Sequence, residues 1–335
     1  MKGIVLGVGL ALVCGAASAT TCPDRPDALG VSRELVVSHS DYSRLGRMQY
    51  RQTLPLNDRE VVLTFDDGPL SPYSDRVLQI LASHCVKATF FLVGRQARAN
   101  PAAVRRIYNA GHTVGTHSQN HPLRFDRISG ARIEDEIDDG VASVVAALGD
   151  AKALAPYFRI PGLGRTPNVE AHLQSRALVV WSSDTLADDW RKISANQVLH
   201  LALSRLERRG KGVLLLHDIQ PRTVLMLPAL LSELKRRNFK IVHVVPEGER
   251  PSLAQPTVVA SASNEGWPRV MGAAPRTTTG SSTEGLPAEA LPIAPEETSI
   301  SVLPRPRPVL RPVRHAAAKP AATAQAPTRD PHAAQ

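Results

Sequence analysis

Across residues 60–245, short runs of β-branched and apolar residues alternate with stretches whose apolar positions recur every three or four residues. The first pattern fits strands covered on both faces and the second fits amphipathic helices, so the chain reads as repeated strand–helix units around a mostly parallel sheet. Seven strands are expected, at residues 61–65, 88–93, 112–116, 157–160, 178–182, 213–217 and 241–245. Helices are expected between most of them, including residues 133–148 and 196–208. This predicts an α/β fold, an open and distorted (β/α)7-type barrel. Residues 20–59 form a lead-in segment to which the pattern assigns no role.

The two ends read differently. Lys2 precedes an apolar run at residues 4–13, followed by Ala17-Ser18-Ala19. That is a secretory signal with a small-x-small cleavage site, so residues 1–19 are expected to be removed and the mature chain to be periplasmic or secreted. The run is too short for a permanent span, no later stretch is transmembrane, and Val13 before Cys14 argues against a lipid anchor. After Pro246 the composition turns to Pro, Ala, Thr, Ser and Arg without periodicity, so residues 246–335 read as a disordered tail. Arg305, Arg307, Arg311, Arg314 and Lys319 stand among prolines, a stiff basic segment able to lie on an anionic cell-wall polymer or membrane surface. A solvated spacer is the competing reading.

The net charge of +9 favours anionic surroundings without naming a partner. Export, and the lack of a zinc-finger, basic-zipper or aromatic RNA-binding signature, argue against nucleic acid. Of three cysteines, Cys14 leaves with the signal. Cys22 and Cys85 then remain in an oxidising compartment, either bridged or as one loose and one buried thiol.

The chemistry concentrates at strand ends. Residues 61–65 run into Asp66-Asp67-Gly68, two carboxylates where a parallel strand meets its loop, the edge at which such folds place active sites. Adjacent residues point in different directions, so the pair suits two tasks, one on a metal and one on a water. Beyond residues 112–116 comes His117-Ser118-Gln119-Asn120-His121, whose spacing of four sets both imidazoles on one side of a helical turn. Two neutral imidazoles and one carboxylate leave coordination positions open, a set that Zn2+ fits best and that also holds Co2+, Ni2+, Mn2+ or Fe2+. Alone, Asp-Asp-Gly is a common turn and paired histidines are common on surfaces.

Taken in order, Leu63-Thr64-Phe65-Asp66-Asp67-Gly68-Pro69, Ala88-Thr89-Phe90-Phe91-Leu92-Val93-Gly94, Gly111-His112 leading to His117 and His121, and Leu214-Leu215-Leu216-His217 resemble the NodB-homology polysaccharide deacetylases, carbohydrate esterase family four. The resemblance covers residues 60–245. It implies a distorted barrel, a bound divalent metal and hydrolysis of N-acetyl or O-acetyl groups on carbohydrate. Asp67, His117 and His121 would hold the metal, Asp66 would be the general base, and His217 would protonate the leaving amine. Leu214 and Leu216, flanking that strand end, fit a wall for the acetyl methyl group. Arg159 in Phe158-Arg159-Ile160-Pro161-Gly162 corresponds to the family arginine that orients the base. Here the chain departs from the pattern, because Gly162 stands where the family commonly has an aromatic residue, which puts the local pocket wall in question. The stretch at residues 181–190 resembles the family's aspartate and tryptophan motif with about two extra residues. Asp189 beside Trp190 is the choice for orienting His217, with Trp190 in the pocket and Asp184 or Asp188 as the alternative.

The implied reaction is removal of N-acetyl groups from an acetylated amino-sugar polysaccharide or oligosaccharide. A glycosidase needs its carboxylates roughly 5 to 9 Å apart across the bond, which neighbouring Asp66 and Asp67 cannot supply. A hydrolase of small-molecule C–N bonds remains as a second enzymatic reading. A silent carbohydrate-binding module would have lost one of Asp66, His117, His121 or His217, and all are present.

Overall fold

The computed structural model describes residue 25 and residues 28–253. The expected signal at residues 1–19, Cys22 and the basic part of the tail lie outside the described residues. Cys85 is disulfide-bonded.

The elements run β1 (Arg33–Val37), β2 (Arg44–Leu45), β3 (Glu60–Asp66), α1 (Tyr73–Ser83), β4 (Thr89–Leu92), α2 (Gly94–Ala99), α3 (Pro101–Asn109), β5 (Thr113–Thr116), α4 (Gly130–Leu148), β6 (Tyr157–Phe158), α5 (Pro167–Ser175), β7 (Val179–Trp181), β8 (Thr185–Leu186), α6 (Ala195–Arg209), β9 (Gly212–His217), α7 (Pro221–Arg236) and β10 (Lys240–Pro246). From β3 the sheet passes one way through β4, β5, β6 and β7 to β2, and the other way to β9 and β8. All of these ladders are parallel. No ladder joins β8 to β2 or β7 among the described residues, so the barrel is open on that side.

The alternation of side chains along each strand sorts the core into two layers. Val62, Phe91, Tyr157, Val179, Trp181 and Val213 pack together inside the barrel. Val61, Leu63, Phe65, Phe90, Leu92, Leu214 and Leu216 face outward against the helices. Burying each such side chain contributes about 1.5–3 kcal/mol. Helix boundaries follow local chemistry. Ser194 and Gln197 form a reciprocal capping box at the start of α6, and Gly210 ends it in a left-handed conformation, φ 75°.

The seven expected strands appear as β3, β4, β5, β6, β7, β9 and β10. The lead-in segment, which has no role in the sequence pattern, is part of the fold: β1 pairs with β10 over five residues, and β2 extends the sheet from β7. The start of the expected tail is also held, since the Arg250 guanidinium lies 3.8 Å from the Tyr108 ring centroid and the Tyr108 hydroxyl donates to the Pro251 carbonyl at 2.7 Å. No helix among the described residues is long and apolar enough to cross a membrane.

Candidate metal and catalytic site

Strands β3, β5 and β9 end at the same edge of the barrel, where they deliver Asp66, His117 and His217. Asp66 points inward and is 2 % exposed. Its Oδ1 accepts from Arg159 Nη1 at 2.7 Å. Arg159 is completely buried and held in place, because Nη1 also donates to Thr64 Oγ1 (2.8 Å), Nη2 donates to the Ser182 carbonyl (3.0 Å), and the guanidinium lies 4.2 Å from the centre of the Phe91 ring. Burial pushes the Asp66 carboxyl above the usual carboxylate range, while the charge of Arg159 opposes that rise.

Asp67 turns away from its neighbour because its backbone is left-handed, φ 79°. Its Oδ1 stands 3.2 Å from His121 Nε2 and 3.5 Å from His117 Nε2. The ligand atoms of the three residues lie within 4.8 Å of one another. Two observations fit this set to a cation. Asp67 Oδ1 is buried without a hydrogen-bond partner. His117 donates from Nδ1 to the Arg159 carbonyl at 2.6 Å, which leaves the Nε2 lone pair facing Asp67. Burial, and then the neighbouring His121, hold His117 far below the ordinary imidazole pKa, so the ring is neutral as a ligand must be.

The predicted helical turn is not how the histidines meet. Residues 117–121 form a loop with left-handed backbone at Ser118 (φ 63°) and His121 (φ 56°). Close contact at two glycines fixes it: a Cβ at Gly140 would come within 2.7 Å of the Ser118 carbonyl carbon, and one at Gly94 within 2.2 Å of the Gln119 side-chain oxygen Oε1. Glu136 on α4, itself buried, accepts from the Asn120 backbone N–H (2.7 Å) and side-chain amide (2.9 Å). Nothing in the local spacing points to Glu136, which lies sixteen residues from Asn120.

Across the cleft, His217 Nδ1 donates to Asp189 Oδ1 at 2.7 Å, and Asp189 is completely buried. Thr223 Oγ1 donates to the other Asp189 oxygen at 2.6 Å. Burial alone would lower the His217 pKa, but the hydrogen bond and charge of Asp189 outweigh it and raise the imidazole to about 9. The alternatives are occupied elsewhere: Asp184 accepts from the backbone of Arg47 and Val213, and Asp188 pairs with Arg205.

Asp66, Asp67, His117, His121 and His217 share a cleft of about 340 Å³ with Leu123, Ile160, Gly162, Leu163, Leu186, Trp190 and Leu215. Trp190 is 45 % exposed and meets His217 edge-on at 5.6 Å. Leu214 and Leu216 are not in this wall; both are 0 % exposed and pack against the helices. Leu215 lies two residues before His217 and therefore shares its face. Gly162 lines the cleft in a left-handed conformation, φ 58°. The sequence pattern also passes over Asp218, whose carboxyl is fully buried beside the loop after β3 and is raised to about 7 by burial, with the Ser74 hydroxyl opposing.

A family model described as polysaccharide deacetylase matches residues 53–180. A peptidoglycan-N-acetylglucosamine deacetylase of Bacillus cereus is 34 % identical over 169 residues, 50 % of this chain and 59 % of the relative. The corresponding Listeria monocytogenes enzyme is 30 % identical over 56 % of this chain and 38 % of its own length, so the chain spans less than two thirds of each of these two curated relatives. A chitooligosaccharide deacetylase of Bradyrhizobium is 32 % identical over 56 % of this chain and 90 % of the relative. Among solved structures, a peptidoglycan deacetylase of Bdellovibrio bacteriovorus aligns with a TM-score of 0.58 and 29 % identity, covering 70 % of this chain and 63 % of that one. A family-four pseudoenzyme of Bacillus anthracis aligns at 0.50 with 25 % identity, covering 56 % and 64 %. The open parallel barrel, the ordered motifs and these likenesses agree: the chain belongs to the polysaccharide deacetylase family.

Proposed function

We propose that this chain is a metal-dependent hydrolase that removes N-acetyl groups from an amino-sugar polymer or oligosaccharide. The observation that carries the reading is one cleft holding an Asp67–His117–His121 triad with an uncapped carboxylate oxygen beside two side chains held by buried partners, Asp66 by Arg159 and His217 by Asp189. A divalent cation on the triad, with Zn2+ the best fit to its donors, supplies Lewis acidity for the amide carbonyl and for water.

The remaining work falls to the chain's own side chains. Asp66, aimed by Arg159, accepts the proton of the attacking water at Oδ2, the oxygen Arg159 leaves free. His217, protonated through its contact with Asp189, donates from Nε2 to the departing amine, which is a poor leaving group without that proton. Leu215, Leu186 and Trp190 provide apolar surface for an acyl methyl group and exclude water from it. Trp190 and Leu123, 45 % and 75 % exposed, offer faces for a sugar ring at the mouth.

Peptidoglycan and chitooligosaccharide, the substrates named for the relatives, are the substrate classes proposed, with the enzyme exported to the cell envelope. The basic proline-rich tail would then hold the chain near an anionic envelope polymer. The test is acetate release from peptidoglycan and from chitooligosaccharides, measured on chelated protein and again after metal return. Metal-restored release supports the reading, whereas a metal-loaded chain that frees no acetate from either glycan would leave it a binding protein.

A further inference from the structure

We propose that Asp218 is a positioning residue for the metal ligand Asp67 and acts through the backbone of Gly68. The inference rests on the assignment of Asp67 as a ligand. Asp218 follows His217 at the end of β9 and points to the outer face of the sheet, the face opposite the catalytic cleft. It is 0 % exposed. Neither of its oxygens makes a hydrogen bond within normal geometry and the Ser74 hydroxyl only partly offsets the burial, an expensive state for a carboxyl that lies outside the cleft.

What the carboxyl touches is Gly68. A Cβ there would lie 2.2 Å from Asp218 Oδ2, 2.5 Å from Oδ1 and 2.7 Å from Cγ, so the planar group lies flat on the glycine backbone. Gly68 is the next residue after Asp67, whose left-handed φ of 79° aims its carboxylate at His117 and His121. On its other side the loop is tied to its neighbours, with the Gly68 carbonyl accepting from Val93 N–H (3.1 Å) and Leu70 N–H donating to Ser74 Oγ (2.7 Å). Asp218 therefore packs against the Gly68 α-carbon, one residue beyond Asp67, in a loop whose following positions these bonds hold. Contact through shape predicts that volume at position 218 matters more than charge, and that the contact requires glycine at position 68.

The experiment is Co2+ uptake by the full chain, followed through the visible absorption of the bound ion and by chelator competition, with folding checked by circular dichroism. Removing the prop in Asp218→Ala should weaken Co2+ binding about 10- to 100-fold and alter the absorption band, the scale seen when groups supporting a metal ligand are lost. Asp218→Asn, of the same shape, should stay within about threefold of the parent. Gly68→Ala should weaken binding, and combining it with Asp218→Ala should cost much less than the product of the two single losses, because the added methyl then has room. Parental affinity and spectrum in a folded Asp218→Ala chain overturns the inference, as do a loss above tenfold in Asp218→Asn or independent effects in the double variant. A parent chain that takes up no Co2+ at all overturns the proposed function instead.

Discussion

Asp189 holds His217 at two points: one carboxylate oxygen accepts the ring Nδ1–H at 2.7 Å and the other accepts the main-chain N–H of the same residue at 2.7 Å. The imidazole is thereby fixed in orientation, with Nε2 left to face the cleft. The same contact sets its acidity, since it outweighs burial and raises the pKa to about 9.

Asp189→Asn should lower kcat about 10- to 100-fold and shift the alkaline limb of the rate profile toward neutral pH, because the group that keeps His217 protonated is gone. A bound cation adds positive charge nearby and moves that limb in the same direction, so parent and variant are compared at equal metal loading. An unchanged alkaline limb in a folded variant would separate Asp189 from the acidity of His217.

The same pair predicts how the metal-free protein responds to alkali. The folded-state pKa of His217 lies above the value near 6.5 of an unfolded chain, so the fold binds this proton more tightly than the unfolded state does. Its contribution is fully present below about pH 6.5 and is lost as pH rises through about 9, a change on the order of 3 kcal/mol at most. Denaturant titrations at pH 6 and pH 9.5 should show it in the parent, with a smaller difference in His217→Gln.

Asp66→Asn should keep the metal and lose turnover by a factor of about 10²–10⁴, the usual weight of a general base. It also leaves the completely buried Arg159 without a charged partner, so a fall of roughly 3–5 kcal/mol in stability accompanies it. Metal content and thermal melting, read beside acetate release, separate the two effects. Retention of the parent rate would remove Asp66 from the role of base.

Leu215→Ala should raise KM or lower kcat, whereas Leu214→Ala should leave the rate of the folded fraction unchanged; both side chains are buried, so each truncation should cost about 2–5 kcal/mol. Only Leu215 lines the cleft; Leu214 sits among the helices. Kinetics and urea titration of both variants would decide it, and equal catalytic loss at the two positions would mean that the strand faces do not divide their roles in this way.

That pair also shows where reading from the chain alone stops. The continuous apolar run of β9 marks a buried strand ending in His217, and the two-residue period of strand side chains places Leu215, not Leu214 or Leu216, beside the histidine. Runs apolar at every position, such as residues 213–216, carry no mark of which layer each side chain joins, because both faces of this sheet are covered. The Asp67, His117 and His121 constellation was legible because strand ends of a parallel barrel gather at one edge. The loop that joins the two histidines was not, since spacing of four fits a helical turn as well as a loop bent by left-handed residues at Ser118 and His121. The lead-in strand β1 went unread because its partner, β10, lies some two hundred residues away.

Glu136 is the sharpest case of a distant residue shaping the site. It reaches from α4 to accept both amide groups of Asn120, the residue between Gln119 and His121, and the Gln119 N–H donates to its main-chain carbonyl at 2.7 Å. Three of the loop's donors thus converge on one helical residue. Glu136→Ala removes two of those acceptors while sparing the main-chain one, so the barrel should still fold, at a cost of about 1–3 kcal/mol for the buried donors left unpaired. His121, tied otherwise by its N–H to Ser118 Oγ, would lose its fixed approach to Asp67, and metal affinity should fall about 10- to 100-fold. Chelator competition on the purified variant measures it. Glu136→Gln retains one acceptor oxygen and should fall between parent and alanine variant, so a glutamine variant that binds metal as weakly as the alanine one would show that Glu136 acts through its charge rather than by pinning the loop.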